Sequence, residues 1–135
     1  ITAAIALEQL KKLPKFMEKR AAVHEYYNEK LRELTWLDLP LQLPNYVTTS
    51  YYFYFIQVKN GKRDQLAKFL RENGIYTTYR YYPLHRVPGY GVTGDFPNAD
   101  YAADCTLCLP MHQSLTEEDT KFIVEKIEEF GKRYC

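Results

Sequence analysis

Ser50-Tyr-Tyr-Phe-Tyr-Phe-Ile-Gln-Val58 is the stretch of the chain with the strongest strand character. Aromatic and β-branched side chains suit the pleated surface of a sheet, and a turn signal, Asn60-Gly61, follows directly. The apolar residues are nearly continuous rather than alternating, which is typical of a strand that is covered on both faces. We therefore predict a strand over residues 50–58 in the interior of the domain.

The next segments predict a helix and then a second strand. Arg63 to Asn73 has helical spacing, and Asn73-Gly74 is a helix stop because glycine tolerates the left-handed conformation. The helix places its core face at Leu66, Phe69 and Leu70. Ile75 to Tyr82 then alternates as a strand does. Strand, helix and strand over residues 50–82 predict a crossover unit whose two strands run in parallel.

Helices are predicted at both ends of the chain. Residues 3–34 are rich in helix formers, and Pro14 leaves open two helices end to end or one bent helix. A short helix from Pro97, a strand from Cys105 to Leu109 and a final helix capped by Ser114 or Thr116 complete the pattern. The predicted buried stripes of the two end helices are Ala6, Leu10, Leu13 and Met17, and Phe122, Ile123, Ile127 and Phe130. The predicted fold class is α+β, with about three strands covered by helices and long N-terminal and C-terminal helices.

Chain length, net charge and cysteine count limit the classes of function. A chain of 135 residues suits one domain, and its net charge of +1 carries no electrostatic signature of nucleic-acid or membrane binding. Three cysteines do not form a disulfide framework, which favours a reducing compartment and a cytoplasmic location. No signal peptide or membrane-spanning apolar run is evident. The chain begins at Ile1 without a methionine, from which we expect a segment of a longer protein.

Residues 75–90 form the best candidate for a binding site. This stretch of sixteen residues holds five tyrosines, two arginines and one histidine, and its second half is a loop stiffened by Pro83 and Pro88. Such a loop, placed on a rigid strand, can hold a polar, anionic ligand, although the tyrosines could instead be packing residues with the charges in solvent. No P-loop spacing is present, and the pair Cys105 and Cys108 lacks the second pair that a zinc site needs.

Six stretches of the chain, in order, resemble one family, the DegT/DnrJ/EryC1/StrS sugar aminotransferases. They cover nearly the whole chain, and the tyrosine-rich block from Arg80 to Arg86 is most similar to members that aminate deoxysugars. The stretches are Ala3–Leu13, Ser50–Val58, Tyr82-Pro-Leu-His85 with Pro88 and Tyr90, Phe96-Pro-Asn-Ala99, Leu107-Cys-Leu-Pro-Met-His112, and Leu115-Thr-Glu-Glu-Asp119.

The resemblance implies a cytoplasmic homodimer of fold type I that depends on pyridoxal 5'-phosphate (PLP). It implies that residues 1–135 are the small C-terminal domain on the substrate side of the enzyme. A large domain absent from this chain would bind most of the cofactor and supply the Schiff-base lysine, so the chain holds no catalytic residue and should be inactive alone. The implied reaction transfers an amino group from an amino-acid donor to a nucleotide-linked keto-deoxysugar.

For the substrate site, the resemblance points to Arg80, Tyr81, His85, Arg86 and Tyr90. Arg80 or Arg86 would pair with the diphosphate, because the guanidinium fork matches phosphate oxygens, and His85 and Tyr81 would bind sugar hydroxyls. Many relatives have histidine at the positions of Arg80 and Tyr52, so the resemblance does not specify the sugar. The alternative from another class is a stand-alone small-molecule-binding or regulatory module without catalysis.

Overall fold

A three-stranded antiparallel sheet forms the centre of the computed structural model, which describes every residue from Ile1 to Cys135. The strands are β1 (Leu37–Asp38), β2 (Tyr54–Val58) and β3 (Thr106–Leu109), and β2 lies in the middle. The helices are α1 (Thr2–Leu31), α2 (Arg63–Glu72), α3 (Pro97–Cys105) and α4 (Glu117–Tyr134). No helix combines the length and the apolar character that a membrane span requires.

One face of the sheet carries the hydrophobic core. Along β2 the residues Tyr54, Ile56 and Val58 are fully buried, and Leu107 and Leu109 of β3 lie beside them in the antiparallel register. Helices α1, α2 and α4 cover this face with buried side chains that join the same cluster: Val23, Tyr27, Leu31, Leu66, Ala67, Leu70, Ile123, Val124, Ile127 and Phe130. The predicted α+β class, with three strands and long terminal helices, is confirmed.

The second strand of the predicted crossover unit, Ile75–Tyr82, does not form. Residues 75–82 form no strand and join the sheet through a single bridge, in which Thr78 and Cys108 exchange backbone hydrogen bonds of 3.2 and 2.8 Å. Because this segment and β2 are both antiparallel to β3, they run in the same direction with β3 between them. β3 has only four residues and ends before Pro110, so it offers little backbone for a longer pairing.

The strand predicted over residues 50–58 begins only at Tyr54, and it is buried on one face. Tyr52 and Phe53 are exposed, and Phe55 and Gln57 on the second face are half-buried. Hydrophobic periodicity could not distinguish a strand buried on both faces from a strand buried on one face, because aromatic residues with polar tips occur both in cores and at solvent-exposed surfaces. The segment between α1 and β2 contains β1, which is only two residues long.

Helix α1 is one continuous helix with Pro14 inside it, which decides between the two alternatives left by the sequence. The predicted buried stripe in its first half is wrong: Leu10 and Leu13 are exposed, and the first buried residue is Val23. Pro14 lies in this exposed half, and it has no N–H to donate to the carbonyl of Leu10. In α4, Phe122 is also exposed, whereas Ile123, Ile127 and Phe130 are buried as predicted.

The helix ends follow the predicted signals. Gly74 has a φ of 77°, and the amides of Gly74 and Ile75 donate to the carbonyls of Arg71 and Leu70, as in a Schellman motif. Thr116 caps α4 in a capping box with Asp119, and the hydrogen bonds from Thr116 hold the pKa of the Asp119 carboxyl below its usual range. The first cap leads directly into residues 75–82, and the second fixes the start of α4.

Gly131 lies inside α4 because Trp36 leaves no room for a side chain. A Cβ at this position would lie 2.6 Å from Nε1 of the indole and 2.9 Å from its Cε2. We expect Gly131→Ala to destabilise the chain by about 1–3 kcal/mol through overpacking, although alanine favours a helix by about 1 kcal/mol over glycine. Urea unfolding measures the change, and Gly89→Ala is the matched control, since no atom lies within 4 Å of its added Cβ. A stabilised Gly131→Ala chain would contradict the packing.

Candidate functional site

The loop after residue 82 is built from two consecutive single-turn 3-10 helices, Leu84–Arg86 and Pro88–Tyr90. The amide of Arg86 donates to the carbonyl of Pro83 at 3.0 Å, and the amide of Tyr90 donates to Val87 at 3.1 Å. The two prolines fix φ at the start of the first turn and within the second, which limits the conformations that the loop can adopt. The loop thus holds His85 and Arg86 in one turn and Tyr90 in the next.

Arg86 attaches this loop to helix α3 through two carboxylates. Its Nε donates to Asp100 at 2.6 Å, and its two terminal nitrogens reach the two oxygens of Asp104 at 2.8 and 3.0 Å. The bidentate contact and the shared Asp100 occupy all three guanidinium nitrogens. The hydrogen bonds from His85 and Arg86 lower the pKa of Asp100, and the bond from Arg86 lowers that of Asp104, so both carboxyls are ionised at neutral pH.

His85 contacts the same carboxylate from the side of the loop. Its Nε2 lies 2.8 Å from Oδ1 of Asp100, and its ring packs against Phe96 with a centroid distance of 4.9 Å. The imidazole is only 16% exposed, so protein surrounds most of it. His85, Arg86 and Asp100 are therefore one connected group, placed where the loop meets the first turn of α3.

Arg80 and Tyr81 form a second, separate group that points to solvent. The Arg80 guanidinium donates to the Tyr81 hydroxyl at 3.1 Å and lies 5.7 Å from the ring centroid of Tyr52. No carboxylate pairs with Arg80, unlike Arg86. No hydrogen bond or ion pair joins Arg80 and Tyr81 to His85 and Arg86, and Tyr90 makes no side-chain hydrogen bond to either pair. The structure thus places the five predicted site residues in three separate groups: His85 with Arg86, Arg80 with Tyr81, and the exposed Tyr90 alone.

Sequence reasoning missed two residues of this surface, Asp100 and Asp104, and it did not predict that Tyr52 lies beside Arg80. Asp100 and Asp104 are four residues apart on α3 and so share one face of the helix, which is a visible signal for a common partner. That signal could not identify Arg86 as the partner, because the loop length between them leaves the contact undetermined. The resemblance named Tyr52 only as a position where many relatives have histidine, and its tyrosine and phenylalanine neighbours gave no sign that it contacts Arg80.

Arg63, at the start of α2, links the end of α3 to the segment that leads to Arg80. One terminal nitrogen donates to the carbonyls of Ala103 and Thr106 at 3.0 and 3.2 Å, where α3 ends and β3 begins. Its guanidinium also lies 4.3 Å from the ring centroid of Tyr79. Arg63 therefore satisfies carbonyl groups at the end of α3 and holds the segment that leads to Arg80.

Comparison with known proteins gives one consistent result. The family model for the DegT/DnrJ/EryC1/StrS aminotransferase family matches residues 1–128. The chain belongs to this family. It is 38% identical over 128 residues to a dTDP-4-dehydro-2,3,6-trideoxy-D-glucose 4-aminotransferase of Saccharopolyspora spinosa, covering 95% of this chain and 33% of the relative.

Two solved structures have the same fold as this chain. The aminotransferase TlmJ from Streptoalloteichus hindustanus superimposes with a TM-score of 0.92 and 40% identity, over 97% of this chain and 35% of that one. S. venezuelae DesV, in complex with a ketimine intermediate, gives a TM-score of 0.90 and 25% identity, over 98% and 36%. The chain thus spans about a third of the length of the relatives that it matches.

Other residues that could carry chemistry in this DegT/DnrJ/EryC1/StrS chain are in structural positions. Cys105 ends α3 rather than lying in β3 as predicted, and burial raises the pKa of both Cys105 and Cys108, which disfavours the reactive thiolate. His24 is hydrogen-bonded at 3.2 Å to Asn28, one turn later in α1, and its ring packs against Tyr54 of β2. No group of three or more His, Cys, Asp or Glu side chains is arranged to hold a metal ion.

Proposed function

We propose that this chain is the C-terminal, substrate-side part of a PLP-dependent aminotransferase that transfers an amino group to a nucleotide-linked keto-deoxysugar. The observation that carries the proposal is the similarity along the whole chain to a dTDP-sugar aminotransferase, at 38% identity over 128 residues. The fold agrees, because TlmJ, itself an aminotransferase, superimposes on 97% of the chain. The amino donor would be an amino acid.

The geometry of the loop favours Arg80 as the residue that binds the diphosphate. Arg86 was an equal candidate from the sequence, but its three nitrogens already bind Asp100 and Asp104. Arg80 has no carboxylate partner, and its guanidinium group is exposed beside the Tyr81 hydroxyl. In the proposed complex Arg80 pairs with phosphate oxygens, Tyr81 and His85 bind sugar hydroxyls, and Tyr90 lines the exposed edge of the site.

The residues of this chain do not by themselves fit PLP. PLP supplies an electron sink when it is held as a Schiff base on a lysine, and no lysine of this chain is buried in a pocket that could serve. The proposal therefore assigns the lysine and most of the cofactor contacts to a large domain outside residues 1–135. The exposed apolar residues in the first half of α1, including Leu10 and Leu13, support a further domain packed there.

Three further parts of the proposal concern the whole protein. It would be a homodimer, it would act in the cytoplasm, and residues 1–135 alone would neither retain PLP nor catalyse transfer. The alternative is a stand-alone binding or regulatory module with the same fold, since folds are commonly reused without their chemistry.

A chimera tests the proposal. Residues 1–128 of this chain replace the corresponding third of the Saccharopolyspora spinosa relative, and amination of a dTDP-linked keto-sugar is measured by mass spectrometry. We expect the chimera to form the amino sugar, because the chain supplies an equivalent substrate surface. The unmodified relative is the positive control, and the relative without its C-terminal third is the negative one. A chimera that folds and binds PLP like its parent but aminates no keto-sugar would contradict the proposal.

A further inference from the structure

The hydrogen bond between His85 and Asp100 determines which nitrogen of the imidazole carries its proton. Asp100 is an ionised carboxylate and can only accept, so Nε2 of His85, at 2.8 Å, must be the donor. In a neutral imidazole the other nitrogen, Nδ1, is then an acceptor without a proton. Arg86 also donates to Asp100 Oδ1, which keeps the carboxylate ionised and in place.

Nδ1 of His85 is open to a ligand. It makes no hydrogen bond within the chain, and no buried side-chain nitrogen or oxygen of the structure lacks a partner, so Nδ1 must reach solvent. The ring itself is held by Phe96 and by the carboxylate, with 16% of the side chain exposed. A fixed imidazole with a single open acceptor nitrogen is arranged to receive a hydrogen bond from a hydroxyl group.

We propose that Asp100, held in place by Arg86, fixes His85 as the Nε2-protonated tautomer and so presents Nδ1 as an acceptor to a sugar hydroxyl. Asp100 is then a positioning residue that acts through His85, in the way that carboxylates orient histidines in other sites. The part that names a sugar hydroxyl rests on the proposed function, whereas the tautomer does not. Arg86 is a positioning residue as well, one step further from the ligand.

Nitrogen NMR of the histidine rings tests the tautomer on the 135-residue chain. The chain has three histidines, and a His85→Gln variant identifies the signals of His85. We expect a protonated Nε2 and an unprotonated Nδ1 in the neutral imidazole ring of the unmodified chain. Asp100→Asn should give a mixture of tautomers, because an amide can donate or accept. A protonated Nδ1 in the neutral ring of the unmodified chain, or an unchanged pattern in Asp100→Asn, would overturn the proposal.

Asp104→Asn is the matched control, because it removes the same charge and also weakens the hold on Arg86, but it does not touch His85. We expect its His85 signals to match the unmodified chain. Asp100→Glu keeps a carboxylate within reach and should restore the Nε2-protonated form. Since the unmodified chain alone reports the tautomer, poor folding of a variant does not remove the test.

Kinetics on the active chimera test the role toward the sugar. We expect Asp100→Asn to raise KM for the nucleotide-sugar about tenfold with kcat nearly unchanged, because a hydrogen bond present before and during the reaction affects binding alone. Asp104→Asn should change KM less than about twofold by the same reasoning. Equal effects of the two substitutions would overturn the acceptor role of His85. A chimera that aminates nothing even without these substitutions would count against the proposed function, while the NMR result would still decide the tautomer.

Discussion

Phe130→Ala is expected to destabilise the 135-residue chain by about 3–5 kcal/mol, which is the usual cost of removing a fully buried aromatic side chain. Phe130 is completely buried in α4, and its ring lies within 5.7 Å of Trp36, 5.6 Å of Phe69 and 4.8 Å of Tyr134, measured between ring centroids. It therefore joins α4 to α2 and to the residue before β1. Alanine would leave a cavity that these surrounding rings can fill only in part.

Phe122→Ala provides the matched control, because Phe122 is the same residue type in the same helix but is 42% exposed. The ammonium of Lys126 lies 5.6 Å from the centroid of the Phe122 ring. We expect its loss to cost no more than about 1 kcal/mol. Urea unfolding followed by circular dichroism measures both variants. Similar midpoints for the two variants would show that α4 does not pack on the sheet as described.

Arg80→Ala is expected to raise KM for a nucleotide-sugar about tenfold to a hundredfold in the active chimera. A hydrogen bond to a charged group contributes about 1.5–3 kcal/mol, and each 1.4 kcal/mol corresponds to a factor of ten. The guanidinium is exposed and has no carboxylate to pair with, so its main role would be toward the ligand. Steady-state kinetics with a dTDP-linked keto-sugar measures the change, with little effect expected on kcat.

Arg71→Ala is the control for this variant. Arg71 is also an exposed arginine near a tyrosine, since its guanidinium lies 5.6 Å from the ring centroid of Tyr76, but it belongs to α2. We expect its KM to stay within about twofold of the unmodified protein, because a solvated surface charge contributes little. An unchanged KM for Arg80→Ala, or equal changes for both arginines, would remove Arg80 from the diphosphate site.

The helices of this domain could be predicted from the sequence because their signals are local. The cap at Thr116 and the stop at Gly74 depend on residues within a few positions of the helix end, and the structure has both. The strands depended on partners far along the chain. Ile75–Tyr82 alternates like a strand, but its pairing was limited by the length of β3, which the segment itself does not reveal.

The candidate site was also predictable only where its signals are local in the sequence. The loop with His85 and Arg86 was visible as a local concentration of charged and aromatic residues between prolines. Its contacts were not, because Asp100 and Asp104 follow fourteen or more residues later and meet Arg86 only after α3 has formed. The exposed first half of α1 could not be predicted either, since an apolar stripe looks the same whether the partner that covers it is inside residues 1–135 or outside them.

The most direct test of the central claim is the amination reaction of the protein isolated from its source organism. Its intact mass and visible spectrum are recorded, and it is then incubated with a nucleotide-linked keto-sugar and an amino-acid donor. We expect a mass well above the 16.0 kDa of this chain, a yellow PLP absorbance that bleaches with the donor, and an amino sugar detected by mass spectrometry. A colourless 16.0 kDa protein that forms no amino sugar would contradict the claim and favour a binding module with the same fold.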